Sequence, residues 1–137
     1  MNEKWAQYTR RYEGLRLKPY TCPTGRLTIG YGHNLENGIS REIAEVLLQA
    51  DLSYAQIEVG GTLPWSNELD EVRQFVLVDM CFNMGLNKLL TFKNFLAALQ
   101  QKDYKTAAKQ MLHSRWAVQV GRRANELAEM MKTGEYK

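Results

Sequence analysis

Residues 13–33 of this 137-residue chain read EGLRLKPYTCPTGRLTIGYGH, and this stretch decides the fold of the N-terminal part. It begins with Glu13, and the next acidic residue along the chain is Glu36. After a Pro-Thr-Gly turn signal, apolar residues alternate with small or polar ones, as in a half-buried strand. We therefore expect a small antiparallel sheet that carries Cys22 and Thr28 and turns a glycine face towards a group that approaches closely.

Helical patterns flank this hairpin. The spacing of Trp5, Tyr8 and Tyr12 predicts a short amphipathic helix that ends at Gly14. Ser40 is a typical N-cap residue and starts a second helical pattern, which continues to the glycine pair at 60 and 61. Later helices are predicted over residues 67–84, 91–100, 103–113 and 122–132, and the first of these is apolar enough to be the central buried helix.

These elements predict an α+β fold that is mostly α. A small N-terminal lobe would hold a β-hairpin or three-stranded sheet, and a connecting helix would lead to a C-terminal helical lobe. We expect one domain over residues 1–137, with an N-terminal lobe of about 13–60 and a helical lobe of about 1–12 plus 61–137. Apolar residues make up 45% of the chain and charged residues 24%, which is a globular composition.

The composition also predicts where the chain folds. It contains no run of about 18 apolar residues, so we expect no membrane insertion. The N-terminus lacks the apolar core of a signal peptide, so we expect the chain to be made and to fold in a cytoplasm. Two cysteines, Cys22 and Cys81, are too few for a secreted disulfide framework, and we expect both to be thiols.

Charge is unevenly distributed. Residues 1–33 carry six Lys/Arg and two Asp/Glu, residues 34–100 carry four and nine, and residues 101–137 carry eight and four. Two basic ends favour an anionic polymer, but charge alone does not separate nucleic acid from cell-wall glycan or acidic lipid. No exposed basic helix with base-reading side chains is evident, so we predict no nucleic-acid partner. His33 and His113 lack the spacing of a zinc site, and we predict no metal and no cofactor.

Three side chains in the hairpin region are candidates for chemistry. Glu13 would lie on the last turn of the first helix, where the partial negative charge of the helix end suits a carboxylic acid that donates a proton. Thr28 can both donate to and accept from a water, and the cations near Cys22 would favour its thiolate. Each residue alone has an ordinary structural explanation. Together they suit cleavage of a glycosidic bond with a single general acid.

The pattern Glu-x8-Cys-x5-Thr followed by Gly-x-Gly-His is similar to that of the phage-type lysozymes, the endolysins of glycoside hydrolase family 24. The similarity extends over nearly the whole chain. Further segments that match are Phe82-Asn83-Met84-Gly85, Phe92, Ser114-Arg115-Trp116, Gln119, Arg122-Arg123-Ala124 and Thr133-Gly134.

This resemblance implies roles for individual residues. Glu13 falls on the catalytic acid of the family and Thr28 on the threonine that holds the attacking water. Cys22 falls on a position that is an aspartate in some members and a cysteine in others. Four positions fall on glycan contacts of the family: Asn34, Phe82, Phe95 and Gln110. The segment between residues 32 and 40 is shorter than in the family, so we expect a trimmed hairpin lobe.

Three further positions have implied structural roles. His33 aligns with a histidine that pairs with an aspartate, here Asp51, and we expect an ion pair between them. Arg123 falls on an arginine that pairs with the catalytic glutamate.

Because the usual second carboxylate is missing, we expect inverting hydrolysis, in which Glu13 protonates the glycosidic oxygen and water attacks the opposite face of the sugar.

The predicted function is therefore that of a monomeric muramidase acting on peptidoglycan glycan strands. It would cleave the β-1,4 bond between N-acetylmuramic acid and N-acetylglucosamine and cause cell lysis. The resemblance implies that the enzyme stays in the cytoplasm of the bacterial host cell until the membrane is breached, and that its access to the cell wall depends on a holin. Two alternatives stay open: a lytic transglycosylase, which uses the 6-hydroxyl of the sugar in place of water, and a lysozyme-like module that binds peptidoglycan without cleaving it.

Overall fold

Backbone contacts divide the chain into two units, Met1–Val46 and Leu47–Lys137. The computed structural model describes residues 1–137 in full. The division falls inside a long helix that begins at Arg41. The assignment of residues 1–12 to the helical lobe stays a prediction.

Helix α1 (Glu3–Glu13) opens the first unit. Asn2 caps its start, because the side-chain oxygen of Asn2 accepts the backbone N–H of Lys4 at 2.9 Å. The helix ends at Gly14, which has φ +72° and donates its N–H to the carbonyl of Arg10. The predicted glycine stop is therefore confirmed, and it leaves Glu13 as the last helical residue.

A three-stranded antiparallel sheet follows α1. Its strands are β1 (Arg16–Thr21), β2 (Leu27–Gly30) and β3 (His33–Asn34), and β2 lies in the middle. Thr21 pairs with Leu27 at the closed end of the β1–β2 hairpin. Both the sheet and the α+β, mostly helical fold class were predicted, and both are confirmed.

The rest of the chain is helical. Helix α2 (Arg41–Thr62) starts after Ser40, whose hydroxyl accepts the N–H of Ile43 at 3.2 Å. It runs through the predicted glycine stop and ends at Thr62. The remaining helices are α3 (Glu71–Met84), α4 (Leu86–Leu89), α5 (Lys93–Gln100), α6 (Tyr104–Leu112), α7 (Arg115–Val120) and α8 (Arg122–Thr133).

The predicted start of α3 at residue 67 was wrong. Pro64–Glu68 forms a separate 3-10 helix, and Leu69 is extended. The side chain of Asp70 then accepts the N–H of Arg73 at 3.2 Å, which makes Asp70 the N-cap and Glu71 the first helical residue. The short helices α4 and α7 were not predicted.

Helix α3 supplies the centre of the core of the second unit. Val76, Leu77 and Met80 are completely buried, and Cys81 is buried as expected from its apolar surroundings. The large side chain of Trp116 packs edge-on against Phe92. The indole N–H of Trp116 donates to Asn83 Oδ1 at 2.8 Å, so the polar edge of the ring is satisfied inside the core.

The end of α8 is fastened to the start of α3 by Arg73. Its guanidinium donates to the carbonyls of Met131 at 2.7 Å and Lys132 at 3.0 Å. It also lies 3.5 Å from the ring centre of Tyr104. These contacts satisfy carbonyls that the helix end leaves without an intrahelical donor. No helix in the chain combines the length and the apolar character needed to cross a membrane.

Candidate active site

The carboxyl group of Glu13 lies against the backbone of Gly32. A β-carbon built on Gly32 would lie 2.6 Å from Oε2 of Glu13 and 2.9 Å from Cδ, closer than a real β-carbon can come. Gly32 also has φ +80°, a conformation that favours glycine. The predicted close approach to the glycine face is therefore present, and the approaching group is the carboxylate of Glu13.

Local sequence explains why the sheet turns at this point. Ile29 pairs with His33, so the three residues 30–32 form the loop between this last pair of β2 and β3. Two of them are glycines with positive φ, Gly30 at +69° and Gly32 at +80°. The GYG triplet thus supplies the backbone freedom that a tight three-residue loop requires. As a result, the backbone of Gly32, which has no side chain, lies against the last residue of α1.

Cys22 begins the turn that joins β1 to β2. Its carbonyl accepts the N–H of Gly25 at 2.8 Å, and its own N–H donates to the carbonyl of Arg26 at 2.9 Å. Gly25 has φ +86°, as a residue in this part of a turn often does. The Sγ atom of Cys22 lies 3.0 Å from Oγ1 of Thr24, inside the same turn.

Thr28 lies on the central strand and is buried. Its hydroxyl donates to the carbonyl of Arg26 at 2.9 Å. Arg26 O therefore accepts from both the Thr28 hydroxyl and the Cys22 N–H, which places these two predicted site residues around one backbone atom. Since a hydroxyl has a single proton, the oxygen of Thr28 keeps lone pairs with which it can accept a further hydrogen bond.

The thiol of Cys22 is the perturbed acid of this hairpin. The hydroxyl of Thr24 is the main cause that lowers its pKa, from 9.0 to about 7, and the backbone of Arg26 is the next. Thr28 adds a smaller contribution of the same sign. The direction agrees with the sequence-based expectation, but the cause differs: hydrogen bonds, and not nearby cations, favour the thiolate.

The hairpin also holds two of the other predicted residues. Asn34 pairs with Thr28 across the sheet, and its side-chain oxygen accepts the N–H of Glu36 at 3.0 Å. His33 Nε2 lies 3.1 Å from the carbonyl of Gly38. The ion pair of His33 with Asp51 stays a prediction, as does the role of Asn34 in substrate binding.

The predicted substrate residues of the second unit lie in two separate grooves. Phe82 and Asp51 line a groove of about 260 Å³ together with Glu58. Phe95 and Gln110 line another of about 250 Å³. Phe95 is 1% exposed, so it forms part of the hydrophobic core below its groove. Contacts of these residues with a glycan stay predictions.

Arg123 forms a bidentate ion pair with Asp79. Nε donates to one carboxylate oxygen at 3.0 Å and Nη2 to the other at 2.9 Å, which joins α8 to α3. The predicted partner of Arg123 was Glu13, and that pairing stays a prediction. No group of three or more His, Cys, Asp or Glu side chains is arranged to hold a metal ion.

Two residues of the site were not predicted. Thr24 appeared in the sequence only as a turn residue, and nothing indicated that its hydroxyl would meet the sulfur of Cys22. Gly32 belonged to a recognised glycine face, but its partner was not evident. A threonine two residues after a cysteine, at a turn, is the signal that would have identified the first contact.

Comparison with known proteins identifies the family of the chain. The phage lysozyme family model matches residues 10–132. The chain is 32% identical to "Probable T4-type lysozyme 1" of Dictyostelium discoideum, with 89% of each protein covered. It is 34% identical to "Endolysin" of Acyrthosiphon pisum secondary endosymbiont phage 1, with 82% of this chain and 77% of the relative covered. It is 29% identical to "Probable T4-type lysozyme 2" of Dictyostelium discoideum, with 91% of each covered. The chain therefore belongs to the phage lysozyme family and is a glycoside hydrolase.

Proposed function

We propose that the chain is an endolysin that hydrolyses the β-1,4 bond between N-acetylmuramic acid and N-acetylglucosamine in peptidoglycan. Glu13 is the general acid, and Cys22 and Thr28 hold the attacking water. The observation that carries this proposal is the convergence of Cys22 and Thr28 on the carbonyl of Arg26 in the hairpin whose next turn touches Glu13.

The hydrogen bonds of the hairpin support a defined role for each group. The proton of Thr28 is held by Arg26 O, so the Thr28 oxygen accepts a hydrogen bond from the water. The sulfur of Cys22 accepts a second hydrogen bond. A water that donates both of its protons in this way presents a lone pair to the anomeric carbon. Attack on the face opposite the leaving oxygen inverts the configuration.

The biological setting belongs to the same proposal. The enzyme acts as a monomer, accumulates in the cytoplasm of the host cell, and reaches the wall after a holin opens the inner membrane. Cell lysis follows from loss of the glycan strands. The resemblance to endolysins and the basic N- and C-terminal segments, which suit an anionic wall, support this setting.

Replacement of Glu13 by Gln tests the central assignment. The amide keeps the shape of the side chain but has no acidic proton, so we expect wall hydrolysis to fall by about 10²–10⁴-fold. Glu36→Gln is the matched control, because it makes the same change at an exposed acid of the same unit, and it should keep the parental rate. Wild-type turnover by Glu13→Gln would contradict the assignment.

Mass spectrometry of the digestion products separates the proposal from its enzymatic alternative. Hydrolysis gives reducing ends that contain the oxygen of water. A transglycosylase gives 1,6-anhydro ends. If digestion in ¹⁸O-labelled water yields unlabelled anhydro products, Cys22 and Thr28 do not hold a nucleophilic water. If the protein binds wall fragments without releasing any product, the binding-module alternative replaces the proposal.

A further inference from the structure

We propose that Thr24 is a positioning residue of this enzyme: its hydroxyl donates a hydrogen bond to the Cys22 sulfur and keeps that sulfur an anionic acceptor for the attacking water. The proposal rests on the proposed function of Cys22. In this arrangement the Cys22 thiolate, stabilised by the Thr24 hydroxyl, takes the role of the missing second carboxylate.

The turn delivers the Thr24 hydroxyl to the sulfur. The Sγ–Oγ1 distance is 3.0 Å, and the two residues are separated only by Pro23. Pro23 fixes its own φ. The N–H of Gly25 donates to the Cys22 carbonyl and the N–H of Cys22 donates to the Arg26 carbonyl, and these two hydrogen bonds close the turn around the contact. The hydroxyl therefore reaches the sulfur without ordering a long side chain.

Two hydroxyls near Cys22 have different hydrogen-bond partners. Thr28 gives its only proton to the carbonyl of Arg26 at 2.9 Å. For Thr24 the sulfur of Cys22 is the partner. Because a thiolate has no proton, Thr24 must be the donor when the sulfur is ionised. Thr24 thus stabilises the anion, while Thr28 keeps its lone pairs for the water.

Among the causes that lower the pKa of the Cys22 thiol, the side chain of Thr24 is the largest, and the side chain of Thr28 adds only a smaller contribution. The pKa of Cys22 is lowered to about 7, first by the side chain of Thr24 and then by the backbone of Arg26. The groups that act on the sulfur are hydroxyls and backbone; the side chains of Arg16, Lys18 and Arg26 are not among the causes. Near pH 7 about half of the sulfur is therefore ionised.

Ionisation matters because a neutral thiol is a weak hydrogen-bond acceptor. In the reaction, one O–H bond of the water breaks and its proton passes to Sγ of Cys22. The water oxygen bonds to the anomeric carbon as the glycosidic C–O bond breaks. The leaving oxygen takes the proton of Glu13. Exchange with solvent then returns a proton to Glu13 and removes one from Cys22.

Thr24→Val and Thr24→Ser test the role of the hydroxyl. Valine keeps the branched shape without the hydroxyl, and serine keeps the hydroxyl, so serine should preserve the parental behaviour. Two profiles are measured from pH 5 to 10 on each full-length protein: alkylation of Cys22 by iodoacetamide, followed by mass spectrometry, and wall hydrolysis. In Thr24→Val both profiles should move to higher pH, with both rates at pH 7 lower by about fivefold.

An unchanged alkylation profile in Thr24→Val would overturn the proposal. A shifted alkylation profile with an unchanged hydrolysis profile would also overturn it, because the contact would then have no part in turnover. Neither result depends on Glu13: loss of the parental activity in Glu13→Gln remains the separate test of the proposed function. Should valine prevent folding, Thr24→Ala provides the same comparison at this exposed turn position.

Discussion

Oε2 of Glu13 lies 2.6 Å from the position that a β-carbon on Gly32 would occupy, which leaves no room for that atom. The last residue of α1 is thereby set against the β2–β3 turn, two residues beyond the end of β2. Two features favour glycine at position 32. Its φ is +80°, and the carboxyl group of Glu13 occupies the space that a side chain would need.

Gly32→Ala should therefore damage activity more than stability. The positive φ costs an alanine about 1–2 kcal/mol, and the new methyl group must push the Glu13 carboxylate aside. A misplacement of about 1 Å at a reacting group reduces the rate by about 10²-fold. The measurements are the rate of wall hydrolysis and the free energy of unfolding in urea.

Gly38→Ala is the control for the cost of placing alanine at a positive φ. Gly38 has φ +73° in the same unit, and nothing lies within 4 Å of a β-carbon built there. Its ψ is −163°, in a backbone region that is essentially restricted to glycine, so alanine should cost at least as much stability there and leave turnover near-parental. Equal turnover in the two variants would mean that the contact between Glu13 and Gly32 does not position the acid.

Substitutions of Cys22 should rank by their ability to accept a proton. Cys22→Asp restores an anionic acceptor and should retain activity. Cys22→Ser offers only a neutral hydroxyl, and Cys22→Ala offers nothing, so both should lose most of the turnover that a base contributes, about 10²-fold or more. Initial rates on purified wall give the ranking. A fully active alanine variant would remove Cys22 from the mechanism.

The two thiols should also differ in reactivity with pH. Since the pKa of Cys22 is lowered to about 7, its alkylation rate should rise as pH increases through 7 and level off above 8. Cys81 is 3% exposed, and burial raises the pKa of its thiol. Peptide mapping after brief treatment with iodoacetamide at pH 7.5 should find the label on Cys22. Preferential labelling of Cys81 in folded protein would contradict the structure.

Much of the hairpin was predictable because its signals are local. The Pro-Thr-Gly turn, the alternating strand and the glycine after Glu13 each act over a few residues, and the turn, the strand and the helix end that they predict are present. The start of α3 was missed because two start signals compete, Pro64 and Asp70, and only the cap of Asp70 leads into the helix.

Contacts between residues that are distant along the chain could not be predicted from the sequence. Asp79 and Arg123 are 44 residues apart, and nothing in a single chain indicates that these two charges meet. The shift of the Cys22 thiol shows a related limit. A lowered pKa was expected because cations lie near Cys22 in the sequence. The main cause in the structure is the hydroxyl of Thr24, whose position depends on the geometry of the turn.

Arg73 should contribute strongly to the stability of the second unit. Arg73→Met removes the donors to the carbonyls of Met131 and Lys132, together with the guanidinium contacts to the Tyr104 ring and the Asp70 carboxylate. The loss of these charged contacts, of which the hydrogen bond to the Met131 carbonyl is partly buried, should cost about 2–3 kcal/mol in urea unfolding. Arg115→Met, at an exposed arginine of α7, should change stability by less than about 0.5 kcal/mol. Equal effects would contradict the proposed fastening of α8.

The pair of Asp79 and Arg123 should be worth more than the pair of Glu126 and Arg122. Both involve α8, but the first is bidentate and joins two helices, whereas the second links successive turns of one helix at a single contact of 2.9 Å. The side chain of Arg122 is 91% exposed and that of Asp79 is 15% exposed, so solvent screens the second pair more strongly.

Double-mutant cycles with Asn or Gln for the acids and Met for the arginines isolate these terms. We expect a coupling of about 1–1.5 kcal/mol for Asp79 with Arg123 and below about 0.5 kcal/mol for Glu126 with Arg122. Raising the salt concentration should reduce the weaker coupling more, in proportion, because it is the more exposed. If the two couplings are equal, the bidentate geometry adds nothing beyond an ordinary surface pair.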